Sequence, residues 1–167
     1  MRKSLLYLTL CILLAAQHVL AGQGRSSLPS VTIVTLDGET VNAASLSNDG
    51  KPFVMSFWAT WCRPCIQELN AIDEIYHEWR DHGFVLFAVS TDDARTRPNV
   101  LPMVKGRGWD YGFYLDENGD FRRAMGVTNL PHTFILNGAG EVVHQHTTFS
   151  EGMEWEMFDL LLDLLEE

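Results

Sequence analysis

The chain has 167 residues, 46% of them hydrophobic, which is one domain's worth and ample for a core. Its formal charge is −10 at pH 7, a balance that argues against nucleic acid and anionic lipid as partners. Cysteine occurs three times, at 11, 62 and 65, too sparsely for a disulfide-stapled scaffold.

In chain order, the first segment is Met1-Arg2-Lys3, an almost wholly apolar run from Leu5 to Ala16, then Val19-Leu20-Ala21-Gly22. A short basic start, an apolar stretch too short to span a bilayer comfortably, and small residues at the cut predict a signal peptide over residues 1–21. Cleavage is expected after Ala21. The alternative is an uncleaved anchor, against which Gln17 and His18 interrupt the apolar run. Cys11 follows Leu8-Thr9-Leu10, with no small residue to mark lipid attachment, so it is expected to leave with the leader. Losing Arg2 and Lys3, with no acidic residue beside them, takes the charge from −10 to −12. The mature protein is therefore expected outside the cytoplasm, periplasmic or otherwise extracytoplasmic, with Cys62 and Cys65 as its only thiols.

Residues 22–27 read as a flexible lead-in, part of a Gly/Ser-rich stretch that reaches Ser30, and the folded domain is placed at residues 28–167. Val31 to Thr35 and Leu36 to Val41 predict a hairpin around Asp37-Gly38. Phe53 to Ala59 is a continuous apolar run, expected of a strand buried on both faces. Ile66, Leu69, Ile72, Ile75, Tyr76 and Trp79 recur at helical spacing up to Gly83. Phe84 to Ser90 predicts a second buried strand, and Pro98 to Lys105 a helix with Pro98 in its first turn. Tyr111 to Leu115 is a short strand, Asp116 to Gly119 a turn, and Phe121 to Met125 a short helix. Thr133 to Leu136 and Glu141 to Thr147 flank Asn137-Gly138-Ala139-Gly140, a second hairpin. From Gly152 a last helix is expected to bury Met153, Phe158, Leu161, Leu162 and Leu165. Strands joined by helices with a late hairpin imply an α/β fold, a central mixed sheet flanked by helices.

The chemistry is concentrated in Trp61-Cys62-Arg63-Pro64-Cys65, where the first buried strand gives way to its helix. A bridge closing so small a loop constrains the unfolded chain little, so the pair is expected to serve redox chemistry rather than stability. Cys62 falls at the helix N-terminus, whose N–H groups and dipole favour a thiolate over a thiol, so it is the expected nucleophile. Cys65, one turn deeper, is suited to attack the mixed disulfide formed on Cys62. Pro64 occupies the first turn, where its missing N–H costs nothing. Arg63 is either a charge that stabilises the thiolate or a solvated side chain. No metal is expected: zinc would want a second ligand pair at metal spacing, and the histidines at 77, 82, 132, 144 and 146 are scattered. His144 and His146 alternate on one strand face, read here as solvated.

Phe57 to Cys65 resembles the active-site segment of the thioredoxin superfamily. The leader, the early hairpin and the helical segment inserted before Pro131 resemble its exported TlpA/ResA-like branch of membrane-side thiol–disulfide oxidoreductases. The resemblance covers about Leu28 to the C-terminus and implies a thioredoxin-like fold. It implies that Leu130-Pro131 is cis and stands opposite the cysteines, with backbone at Leu130 open to a substrate strand. Trp61, Arg63, Pro64, Leu130, Pro131 and His132 would then touch substrate, although His132 stands where the family more often has a small polar residue, and its alternatives are to tune Cys62 or, as the favoured one, to face water. Thioredoxins proper carry a buried aspartate on the strand before the cysteines; here that position is Ser56, which cannot act as a base at neutral pH. Glu68, three residues after Cys65 on the same helix side, is the candidate to move the Cys65 proton, and ResA-like proteins have a glutamate at the matching position.

The implied partners are protein thiols and disulfides and a membrane electron donor of the thiol–disulfide type, with the protein a monomer and no cofactor. The implied direction is reduction, with apocytochromes in cytochrome c maturation among the possible substrates. Two other functions fit less well. In a thiol peroxidase the reactive cysteine sits in a Pro/Thr-rich loop with a nearby arginine and no preceding tryptophan. A copper-handling module on this fold spaces its cysteines by three residues, and only His132 stands near as a further ligand.

Overall fold

A computed structural model describes residues 28–166. The leader, Cys11 and the 22–27 lead-in lie outside the described residues.

β1 (Thr32–Thr35) and β2 (Thr40–Asn42) form the expected hairpin, with Gly38 at φ 91°, a backbone conformation that favours glycine. β3 (Phe53–Trp58) is buried at every residue, as its unbroken apolar run requires. α1 (Arg63–His82) follows it and stops at Gly83, which is left-handed at φ 79° and donates its N–H to the carbonyls of Trp79 and Arg80. Next come β4 (Leu86–Ser90), α2 (Val100–Arg107), β5 (Gly112–Leu115) and α3 (Asp120–Ala124). β6 (His132–Leu136), β7 (Val142–His146) and α4 (Met153–Leu165) complete the chain.

The seven strands make one mixed sheet in the order β2-β1-β5-β4-β3-β6-β7. β3, β4 and β5 run parallel, while β6, β7 and the early hairpin pair antiparallel. This is the expected α/β architecture, and it sets β3 in the interior with β4 on one side and β6 on the other.

Alternation along β3 divides the core in two. Val54 and Trp58 join Leu69, Ile72 and Trp79 of α1, Val100 and Val104 of α2, and Met157 and Leu161 of α4. Phe53, Met55 and Phe57 join Ile33, Phe121 of α3 and Phe134 on the opposite face. Each such side chain contributes about 1.5–3 kcal/mol by leaving water, so α1 is held firmly along the length that carries the cysteines.

Three local expectations change. Pro98 lies in a separate 3-10 turn, Arg97–Asn99, ahead of α2 instead of inside it. The second buried strand begins at Leu86, two residues after Phe84. Leu165 ends α4 at 41% exposed, and Met157, which the spacing had not singled out, is buried in its place.

Candidate active site

β3 ends at Trp58, and the chain turns through Ala59, Thr60 and Trp61 before α1 begins. Cys62 is the N-cap of α1, with extended backbone, and its Sγ accepts the Cys65 N–H at 3.3 Å. Pro64 lies in the first turn, where no intrahelical N–H partner is needed. Cys62 and Cys65 are joined in a disulfide, with Cα atoms 5.3 Å apart. Cys62 is slightly accessible and Cys65 is wholly buried. A partner can therefore approach only the outer sulfur directly. Trp61 is 62% exposed beside it, and Arg63 and Pro64 are exposed on the first turn.

The turn before the cysteines is fixed by a residue that the reading of the chain did not single out. Asp92, buried just beyond β4, accepts the Thr60 N–H at 2.9 Å, the Thr60 hydroxyl at 2.6 Å and the Ser90 hydroxyl at 2.8 Å. A charged acceptor held by three donors is a strong local restraint, and it ties the approach to Cys62 to the end of β4. Its signal in the sequence was faint: an acid two residues beyond a buried strand.

Glu68 lies one turn beyond Cys65 on the inner side of α1, and it is fully buried. Ser56 donates to its Oε2 at 2.8 Å, and the Thr133 hydroxyl lies 3.0 Å from both carboxylate oxygens. The His146 Nε2 is 2.8 Å from its Oε1. Ser56 of β3 and Thr133 of β6 are directly paired in the sheet, so the two central strands present both hydroxyls toward α1. Ser56 thus acts as a hydrogen-bonding partner of the acid. A buried carboxylate is tolerated only with such partners.

His146 corrects the solvated reading of His144 and His146. His144 is exposed, but the His146 side chain is only 11% exposed and reaches the buried acid. The cause is a register shift: Ile135 faces His144 while Leu136 faces Val142, leaving Val143 over. The shift carries His144 and His146 to the α1 and α4 face of the sheet.

The Leu130-Pro131 peptide is cis, as expected. His132 pairs with Phe57 across the sheet, so Pro131 stands level with the end of β3, where the chain departs toward Cys62. Leu130 is half-buried and Pro131 buried. The water-facing alternative for His132 is overturned: the residue is 6% exposed, its ring stacks on Phe134 at 4.4 Å, and its Nε2 meets Gln145 Oε1 at 3.0 Å. Its place on β6 gives it the parity of Phe134, on the face opposite Glu68, so it is packed into the second core.

A mixed sheet of this order, with a cysteine pair capping the helix after an interior strand and a cis proline at that strand's end, is a thioredoxin-like fold built for thiol–disulfide exchange. A family model described as Redoxin matches residues 23–161, and the chain belongs to that family. The thiol-disulfide oxidoreductase ResA of Halalkalibacterium halodurans is 28% identical over 151 residues, covering 90% of this chain and 81% of that protein. The protein of the same name from Bacillus subtilis is 28% identical over 137 residues, covering 81% and 74%. Among solved structures, a thioredoxin-like protein from Porphyromonas gingivalis is 44% identical with a TM-score of 0.74, covering 84% of this chain and 92% of that one. The chain is thus a thiol–disulfide oxidoreductase of the thioredoxin superfamily, on its ResA-like branch. Among the described residues, no helix is long and apolar enough to cross a membrane.

Proposed function

We propose that this chain is an exported protein-disulfide reductase that meets its substrates through Trp61, Arg63, Pro64, Leu130 and Pro131. The Cys62 thiolate attacks a substrate disulfide, forming a bond to one substrate sulfur and releasing the other as a thiolate. Cys65 gives its proton to Glu68 and attacks the Cys62 sulfur, releasing the second substrate thiolate. Two electrons pass to the substrate, and the Cys62–Cys65 disulfide remains. A membrane donor of the thiol–disulfide type then returns two electrons to the pair. His132 braces the strand behind Pro131 and leaves substrate contact to the residues around it.

The observation that carries this reading is the graded burial along α1. Cys62, 5% exposed, caps the helix, Cys65 lies one turn below it with no exposed surface, and a fully buried acid lies one turn below that. Backbone at Leu130 would add main-chain hydrogen bonds to an extended substrate, giving affinity without strict sequence choice. The leader removed after Ala21 is read from the basic, apolar and small-residue pattern of residues 1–21, and the reducing direction and exported substrates such as apocytochromes from likeness to the ResA branch.

Reduction potential tests the direction. Equilibration with glutathione or dithiothreitol of known ratio is expected to give a value below about −200 mV, within the reducing part of the thioredoxin-fold range. A potential near about −120 mV, that of the strong disulfide-forming members, would overturn it.

A further inference from the structure

We infer that His146 is the exit through which Glu68 returns to solvent the proton taken from Cys65, on a surface separate from the substrate-docking face. This rests on the reading of Glu68 as proton carrier.

Glu68 is fully buried, so water does not reach its oxygens directly. A proton left on Glu68 can fall back to Cys65 and quench its thiolate before it attacks, so resolution is fastest where the proton moves on. Two of its three side-chain partners, Ser56 and Thr133, are themselves fully buried and lie 2.9 Å from one another, so they form a closed group. His146 is the third, and it alone of the three reaches solvent.

An imidazole suits this task because its two nitrogens separate uptake from release. Glu68 hands its proton from Oε1 to Nε2 across 2.8 Å, and Nδ1 gives one up to water or buffer. The ring is left as its other tautomer. When Cys65 regains its proton on re-reduction of the disulfide, the transfer runs backward and restores the first tautomer. Protons therefore balance over a full cycle.

His146 lines a cavity of about 150 Å³ between β7 and α4, together with His144, Met153, Glu156 and Leu160. The titratable groups facing it are Glu68 from α1, Glu156 from α4 across the cavity, and His144 on its own strand, with ring centroids 6.5 Å apart. None of Trp61, Cys62, Pro64, Leu130 or Pro131 lines this cavity. A substrate chain lying over the cysteines would leave the proton path open.

The test uses the intact chain carrying His146→Gln, which keeps an amide near Glu68 but relays no proton, and His146→Ala as a second variant. Reduced protein is mixed with oxidised glutathione, and formation and resolution of the Cys62–glutathione mixed disulfide are followed in weak buffer. Formation is expected at the parental rate, with resolution slowed about tenfold in both variants. Added imidazole is expected to restore resolution in His146→Ala, which a purely structural role would not allow. Resolution at the parental rate in both variants, or a slowing that imidazole leaves untouched, would overturn the exit. Glu68→Gln in parallel separates the two ideas. If it too resolves at the parental rate, the proton-carrier reading has failed; if it alone is slow, only the exit has failed.

Discussion

Replacing Cys62 with serine is expected to abolish disulfide exchange, with a loss of roughly a thousandfold or more in reduction of a model protein disulfide such as insulin. The reason is chemical and positional together. A serine hydroxyl is not ionised near neutral pH and forms no sulfur–sulfur bond, so no mixed disulfide can begin. Cys65 cannot substitute, because it is wholly buried one turn below the surface while Cys62 caps the helix. The fold should survive, since serine is itself a favoured N-cap and a bridge across so short a loop adds little stability. An unchanged melting transition with lost activity checks both halves of the expectation. Appreciable turnover by Cys62→Ser would mean that the buried sulfur is the attacking one.

The second large effect is expected from Glu68→Gln, which should slow resolution of the mixed disulfide about 100-fold while leaving its formation intact. Cys65 is sealed from water, so its proton needs an acceptor inside the protein, and Glu68 is the acid one turn away on the same helix side. Glutamine matches the shape and can still accept from Ser56, but it cannot take a proton. Its amide sets a donor at the Oε1 position, where the Thr133 hydroxyl lies 3.0 Å and the His146 Nε2 2.8 Å away, which costs about 1–3 kcal/mol of stability. Rate and stability should therefore be measured together. Equal resolution rates in Glu68→Gln and the parent would remove Glu68 from the mechanism.

Much of this was legible in the chain, for local reasons. Asp37-Gly38 and the run 137–140 specify turns by themselves, and β3 declares its double burial through Phe53 to Trp58. Glu68 could be found because helical spacing puts it beneath Cys65 and the ResA-like resemblance has a glutamate at that position. What stayed hidden depended on pairing between distant segments. Alternation told that His144 and His146 share a face, but not that the shift around Val143 turns that face toward α1 and α4. His132 and Gln145 are 13 residues apart and meet only because β6 and β7 pair, so nothing local marked His132 as buried. Asp92 was missed for the same reason, its partner Thr60 being 32 residues away. Residues that act through a neighbour are readable where the neighbour is on the same helix, and unreadable where a sheet brings it.

Cys65→Ser, produced in a cell that exports the protein, tests the central claim most directly. Cys62 should still attack, and without a resolving thiol the mixed disulfide should persist. Mass spectrometry of the captured complexes is predicted to find exported proteins, together with a membrane thiol donor, bonded to Cys62. Recovery of the variant with Cys62 unmodified, under conditions where its thiol reacts freely with small disulfides, would contradict the account.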